Sequence, residues 1–320
     1  MNTAIQARVP AAPRRYPQQT TAELQQLAAA TPVVGCPCLS AHHPLLATRR
    51  AFDVVIVDEA GQIGLPAVLG ALLKARSFVL VGDHYQLPPL VLDRRAAEGG
   101  LGVSLFRQLC EARPASVVVL SQQYRMCRRL AFVDTDAVQP SAAVEDAPAP
   151  GRHGVVNAGE AALLMQLLEG LCVCGVPGSD ITLVSPYKAQ VRACRSSVLS
   201  GHTGCWGTRR QGGLAGVEVL TIDRCQGRDK PVLLLSFVRS NHRGAVGTLL
   251  ADWQRLNVAV TRAKVLLVMV GSARTLRGGV PLLAKMLEYV EREGQLVTLP
   301  ADVLVQQQVL STDSPMHKLS

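Results

Sequence analysis

From about residue 50 onward, short apolar runs alternate with segments of helical length. Phe52–Asp58 (FDVVIVD) is an apolar run that closes on acid, and Ser77–Asp83 (SFVLVGD) repeats that form. A helix is expected between them over Leu65–Ala75, and Val117–Leu120 reads as a third strand. The runs are short, bounded by Gly, Pro or charge, and largely continuous rather than alternating. That is the signature of strands buried on both faces of a parallel sheet. Strand–helix alternation of this kind specifies an α/β fold with a doubly wound parallel sheet.

The composition shifts over residues 134–154, DTDAVQPSAAVEDAPAPGRHG, which are rich in Pro, Ala and Asp and read as a linker or surface loop. The alternation then resumes. Helices are expected over Glu160–Leu171 and Trp253–Ala263, and strands over Ile181–Ser185, Val217–Ile222, Val232–Val238 and Val265–Val270. The chain therefore divides into a disordered start (1–21), a first α/β domain (22–120), a second (121–304) and a disordered tail (305–320). The Gly-rich stretch Gly201–Gly216 is expected to be a loop.

With 320 residues, 48% of them hydrophobic, the chain has enough apolar material for two cores. No apolar run approaches the roughly 18 residues of a membrane span, so no membrane partner is expected. The net charge is +9. A basic excess fits a polyanionic partner, since phosphates attract Lys and Arg and shed counterions; arginine-rich composition alone would give the same figure. Nine cysteines, an odd number, fit reduced thiols in cytosol or nucleus. Cys36/Cys38, with His42 and His43 close behind, and Cys172/Cys174 lack the spacing of a zinc site. The first twenty residues carry Arg8, Arg14 and Arg15 and no acid, a weak likeness to a mitochondrial transit segment that three prolines interrupt.

Five segments carry chemistry. Asp58 and Glu59 follow the first strand, where α/β sheets bind ligands. One acid there can hold Mg²⁺ while its neighbour orients or deprotonates a water. Gln86, in VGDHYQLPPL after the second strand, has an amide able to sense a terminal phosphate. In Gln123-Tyr124-Arg125-Met126 an aromatic can stack on a base and an Arg can pair with phosphate. Residues 219–230 (VLTIDRCQGRDK) join a strand to a loop dense in phosphate and sugar partners. In RLNVAVTRAK, Arg255 and Arg262 stand seven apart, two turns along one face of the expected helix. For Arg255 a solvated helix charge is an equal alternative.

In this order, DEAGQ, VGDHYQLPP, QYRM, QGRDK and NVAVTRAK resemble motifs II to VI of superfamily 1 helicases, in the group of the RNA-decay and senataxin-like enzymes. SLFRQL, SFVRSN and LLADWQRLNVAVTRAK resemble the branch that joins a replication helicase to a nuclease. The likeness spans about residues 22 to 300. It implies two RecA-like parallel-sheet domains of a P-loop NTPase, the first incomplete, with ATP and Mg²⁺ as cofactors. It implies that Asp58 coordinates Mg²⁺, that Glu59 activates water, and that Gln86 couples the γ-phosphate to domain movement. Tyr124 would stack on adenine, and Arg125 and Arg262 would be arginine fingers. Gln226, Gly227 and Asp229 would line the nucleotide, while Ser185, Pro186, Tyr187, Gln190 and Thr221 would contact the tracked strand.

Two departures stand against the family pattern. No G-x-x-x-x-G-K-[ST] loop occurs, since none of the lysines follows a glycine; the resemblance places that loop upstream of residue 20, so the chain is expected to start after it. The segment between Arg129 and Phe132 is short for the family, so an internal deletion near residue 130 is expected. The resemblance implies an ATP-dependent 5′–3′ DNA helicase acting on single-stranded DNA with replication and repair proteins, in the nucleus or else the mitochondrion. The alternatives are an RNA helicase of the RNA-decay type and a catalytically dead nucleic-acid-binding fragment.

Overall fold

The computed structural model describes residues 20–47, 51–126, 129–138, 144–146, 154–200 and 214–304. The expected disordered termini (up to residue 19 and from 305) and most of the Gly-rich loop (201–213) lie outside the described residues. The chain forms two compact units: residues 1–84 with 88–117, and residues 85–87 with 118–320.

In the first unit, β1 (Phe52–Val57) and β2 (Ala75–Leu80) pair in parallel from Phe52↔Ala75 to Val57↔Leu80. The helix between them, Leu65–Leu72, begins with Pro66 in its first turn, where a missing N–H costs nothing. It stops before the expected Ala75, because Ala75 already pairs as the first residue of β2. Its Val68 packs with Val57 and Ala60 in a small core. A helix over Thr21–Ala30 opens the unit behind a capping box, with Thr20 N–H donating to Glu23 Oε2 (2.8 Å) and Glu23 N–H to Thr20 Oγ1 (3.3 Å).

The expected third strand at Val117–Leu120 does not form. A single 3₁₀ turn, Pro114–Ser116, ends with Val117 N–H donating to Pro114 O. Val118, Val119 and Leu120 follow at 85%, 78% and 86% exposure. An apolar run becomes a strand only where its peptide groups find a partner, and none pairs with it among the described residues.

The second unit is a six-stranded, all-parallel sheet in the order β5-β4-β6-β7-β3-β8. The strands are β3 (Leu130–Asp134), β4 (Ile181–Ser185), β5 (Glu218–Thr221), β6 (Lys230–Ser236), β7 (Ala263–Gly271) and β8 (Leu296–Thr298). Side chains alternate across it. Leu233 and Leu235 face a core with Phe132, Phe237, Leu283 and Leu287, while Leu234 faces the other core with Leu164, Leu168 and Leu183. The helices Ala158–Val173 and Lys188–Ser200 cover that second face; Trp253–Val260, Ala273–Gly279 and Pro281–Arg292 cover the first. Burial on both faces is why the strands read as near-continuous apolar runs.

Several boundaries differ from expectation, three of them with consequences for the site. Ile222 leaves β5 to begin a short helix, Ile222–Cys225. The helix from Trp253 ends at Val260, with Thr261 as its C-cap, and Ala263 opens β7. Arg255 and Arg262 are therefore not two turns of one helix face. β6 ends at Ser236, and Val238 turns away with φ 70°. The expected linker is tied down where it is described. Asp134 ends β3, Asp136 accepts from Ser272 Oγ and Arg274 N, and Asp146 bridges Val156.

Candidate nucleotide and nucleic-acid sites

In the first unit, Asp58 and Glu59 stand exposed just beyond β1. Asp58 Oδ1 accepts from Glu59 N (2.9 Å), and Gln62 Nε2 donates to Glu59 Oε2 (2.7 Å), so a neighbouring amide orients the second acid. Glu59 occupies the left-handed region (φ 53°), so the chain turns sharply straight after the strand. The turn rests against the end of β2, with Ala60 N donating to Val81 O and Val81 N to Val57 O. Glycine is required on both sides: a Cβ on Gly61 would sit 2.9 Å from Asp83 O, and one on Gly82 would sit 3.0 Å from Gly61 N. Among the described residues no cluster of three or more metal-ligating side chains occurs. Exposed Asp58 is the kind of acid that could hold Mg²⁺, which keeps its waters and takes one or two protein acids plus substrate phosphates.

In the second unit, arginines from two other motifs converge on Asp229. Arg125 Nε lies 2.7 Å from Asp229 Oδ2, and Arg262 Nη1 lies 3.5 Å from Asp229 Oδ1. The longer contact is an ion pair without hydrogen-bond geometry. Arg262 Nη2 donates to Gln86 Oε1 (3.1 Å) and Nε donates to Val258 O (3.2 Å). Arg262 is 2% exposed. Burying a guanidinium is costly unless it is paired, and here a carboxylate, an amide and a carbonyl share it.

Gln86 is held in turn. Gln254 Nε2 donates to Gln86 O (2.6 Å), Asn257 Nδ2 to Tyr85 O (3.0 Å), and the Tyr85 and Trp253 rings lie 5.9 Å apart. The Gln123 side chain shapes the Tyr124–Arg125 turn: its Oε1 accepts from Arg125 N (3.0 Å) and Met126 N (2.6 Å). Tyr124 is 90% exposed, its ring open to stacking and its hydroxyl donating to Gln122 Oε1. Gly227 has φ 70°, and Gln226 Nε2 is buried with no hydrogen-bond partner among the described residues. Arg255 instead pairs with Asp223 (3.0 Å) and Asp252 (3.7 Å), away from Asp229.

The residues assigned to strand contact lie deeper than their motif suggests. Ser185 and Gln190 are 0% exposed, Pro186 is buried, and Tyr187 is 8% exposed with its hydroxyl donating to Val246 O (3.1 Å). Thr221 is half-buried. Ser185 and Gln190 are therefore internal supports of this edge, because their polar atoms are spent inside: Ser185 Oγ accepts from Tyr187 N, and Gln190 bonds Asn157 and Ser236.

Asn157, Glu160 and Glu145 have no place in the motif reading, and Arg239 enters it only as part of SFVRSN, with no role assigned. Asn157 caps the helix Ala158–Val173 and Glu160 sits three residues on, an N-x-x-E pattern that marks a helix start. Glu160 is 0% exposed, and burial pushes its carboxyl up to about 8 despite its bonds to Ser236 and Val238 N. A folded-state value above the unfolded one means that the native state holds the proton more tightly. Its contribution to stability is complete at low pH and is lost as pH rises from about 4.5 toward 8. The expected result is a melting temperature that falls between pH 6 and 8.5 in the wild type and changes less in Glu160→Gln, read by thermal denaturation. Equal slopes would show that Glu160 is ionised in the fold.

Profiles described as AAA domains match residues 4–94 and 128–274. The DNA replication ATP-dependent helicase/nuclease JHS1 of Arabidopsis thaliana is 40% identical over 85% of this chain and 22% of its own length. DNA2 of Mus musculus is 34% identical over 88% of this chain and 30% of its own, and DNA2 of Saccharomyces cerevisiae 33% over 86% and 21%. This chain belongs to the superfamily 1 helicases. Its α/β architecture is that of a P-loop NTPase helicase with RecA-like domains. The chain spans between a fifth and a third of the length of these relatives.

Proposed function

We propose that this chain supplies part of the motor of an ATP-dependent DNA helicase of the replication and repair type, which moves 5′–3′ along single-stranded DNA. The observation that carries the reading is the buried Arg262, joined to Arg125 through Asp229 and to Gln86 by a hydrogen bond. Arginines from two distant motifs share one acid there, and one of them also holds Gln86, which is how a motor would link phosphate sensing to its charge-stabilising arginines.

Phosphoryl transfer needs positioning and charge more than covalent chemistry. ATP would supply the phosphoryl group, and a bound Mg²⁺ would neutralise its charge. Asp58 would hold the metal through its exposed carboxylate. Glu59, oriented by Gln62, would accept the proton of the attacking water. Tyr124 would stack on the base, with Gln226, Gly227 and Asp229 beside it. Arg125 and Arg262 would leave Asp229 for phosphate oxygens, so charge stabilisation would arrive only with nucleotide. Thr221 and Tyr187 would meet the tracked strand. Nuclear replication and repair proteins are the expected partners.

Binding to single-stranded DNA is expected to be salt-dependent. The net charge is +9, and each phosphate neutralised on a single strand adds about −0.7 to the slope of log affinity against log salt. Filter binding between 50 and 200 mM salt, run with matched DNA and RNA oligonucleotides, measures that slope. Absence of retention at low salt would overturn the reading. Tighter retention of RNA through its 2′-hydroxyls would move it to the RNA-decay type.

A further inference from the structure

The carboxyl ends of β4 and β6 form a place that the ATP chemistry does not use. These strands are neighbours, yet the chain leaves β4 for β5 on one side and β6 for β7 on the other. A reversal of this kind opens a crevice beyond the strand ends, where α/β sheets take ligands.

One wall of the crevice is strained. Val238, fully buried, has φ 70°, and Arg239 N donates to Phe237 O (2.8 Å) to close a three-residue turn around it. A β-branched residue in that region is strained and persists only where its surroundings fix it. Both of its peptide groups are fixed. Val238 N donates to Glu160 Oε2 (2.8 Å), and Asn157 Nδ2 donates to Val238 O (3.1 Å).

The clamp reaches the other wall through Gln190. Asn157 N donates to Gln190 Oε1 (2.9 Å), and Gln190 Nε2 donates to Asn157 O (3.0 Å). Gln190 begins one turn after Tyr187, and Val191 N donates to Tyr187 O. Beyond the turn, Glu145 Oε2 accepts from Arg239 Nε (2.7 Å), Ser240 N (3.0 Å) and Asn241 Nδ2 (3.2 Å). The two walls, Pro186–Tyr187 and Arg239–Asn241, are thus set by one buried network. Among the described residues no cation pairs with Glu160.

We propose that Glu160 and Asn157 are positioning residues for nucleic-acid binding: they hold the Val238 turn so that Arg239 and Tyr187 form one fixed edge for the phosphate backbone of a single strand. The proposal rests on the nucleic-acid reading above. Strain held at a ligand-facing turn by side chains that touch no ligand is the pattern expected of pre-organisation.

The test is single-stranded DNA binding by the 320-residue chain from pH 7 to 9.5. Glu160 should be neutral at the low end and ionised at the high end, putting a buried charge into the clamp. The groups around it are Tyr187, Cys194, Arg239 and Glu145. The thiol of Cys194 is pushed up to about 12, the Tyr187 hydroxyl lies above its ordinary value and Arg239 stays charged, so none of these three changes state there. Wild-type affinity should fall by about five-fold or more across the range, and Glu160→Gln, a neutral isostere, should bind like the wild type at pH 7 and stay flat. Asn157→Ala should weaken binding by about ten-fold at pH 7, with a hydrogen bond to the strained carbonyl lost. A wild type that binds but runs parallel to Glu160→Gln overturns the clamp alone. A wild type that retains no strand at low salt overturns the nucleic-acid reading, and the clamp's role with it.

Discussion

Arg262→Ala, made in a longer form that carries a G-x-x-x-x-G-K-[ST] loop, is expected to cut ATP turnover by about 10³–10⁵, the range that arginine fingers contribute. Nucleotide binding should survive largely intact, because the finger acts on charge that develops in the transition state. The environment of Arg262 sharpens the expectation. At 2% exposure it is paired with Asp229, Gln86 and Val258 O, contacts that hold its charge in reserve until phosphate oxygens draw it away from Asp229. Arg255→Ala is the internal control: Arg255 is partly exposed and pairs with Asp223 and Asp252 instead. Such a surface pair is worth about 0–1 kcal/mol, so turnover should change little. Single-turnover phosphate release, with a fluorescent nucleotide to read binding, separates the two variants. Equal losses at both positions would undo the assignment. Loss of nucleotide binding in Arg262→Ala would mean that the residue holds the ground state instead.

The sheet was legible because burial on both faces leaves a direct trace in sequence. Leu233, Leu234 and Leu235 face alternate cores, and no polar residue interrupts them. The same trace misleads at Val117–Leu120, since an apolar run does not reveal whether a partner strand exists. It also overran at the helix from Trp253. The apolar spacing continues through Ala259 and Val260, while the break at Thr261 depends on cap geometry. The capping box at Thr20 and Glu23 is written in the chain as T-x-x-E, yet no strong apolar period follows it to mark a helix.

The site was legible by motif and illegible by depth. A motif gives a residue type at a position along the chain, and it says nothing of exposure. Gln190 and Ser185 therefore read as strand contacts although both are buried and spent on internal bonds. Asp229 read as one more group lining nucleotide, yet it is the acid that Arg125 and Arg262 share. Arg262 was placed on a helix face with Arg255, and only the helix end at Val260 separates their surroundings. Glu160 was invisible as chemistry because a single acid inside an apolar helix has no pattern of its own. Its meaning comes from Ser236 and Val238, some eighty residues away.

The 320 residues expressed alone are expected to show no helicase-like ATP turnover. Asp58 and Glu59 offer a metal ligand and a base, and Arg125 and Arg262 offer positive charge. None of Lys74, Lys188, Lys230, Lys264, Lys285 or Lys318 follows a glycine, so these residues contain no loop of the kind whose backbone N–H groups cradle the β- and γ-phosphates. Holding reactants in place contributes roughly 7–11 kcal/mol to barriers of this general kind, so chemistry without the cradle should be slower by many orders of magnitude. Arginines and acids cannot substitute for it, because stabilising charge in the transition state accelerates nothing unless the γ-phosphate stands where the charge develops. The measurement is phosphate release from the purified chain with Mg²⁺-ATP and excess single-stranded DNA. Glu59→Gln serves as the control for contaminating ATPase. Background release in both, alongside salt-dependent DNA binding, is the expected outcome. Turnover near one per second that vanishes in Glu59→Gln would mean that other backbone in these residues holds the phosphates, and Arg262→Ala in the same chain would then show at once whether the finger acts there too.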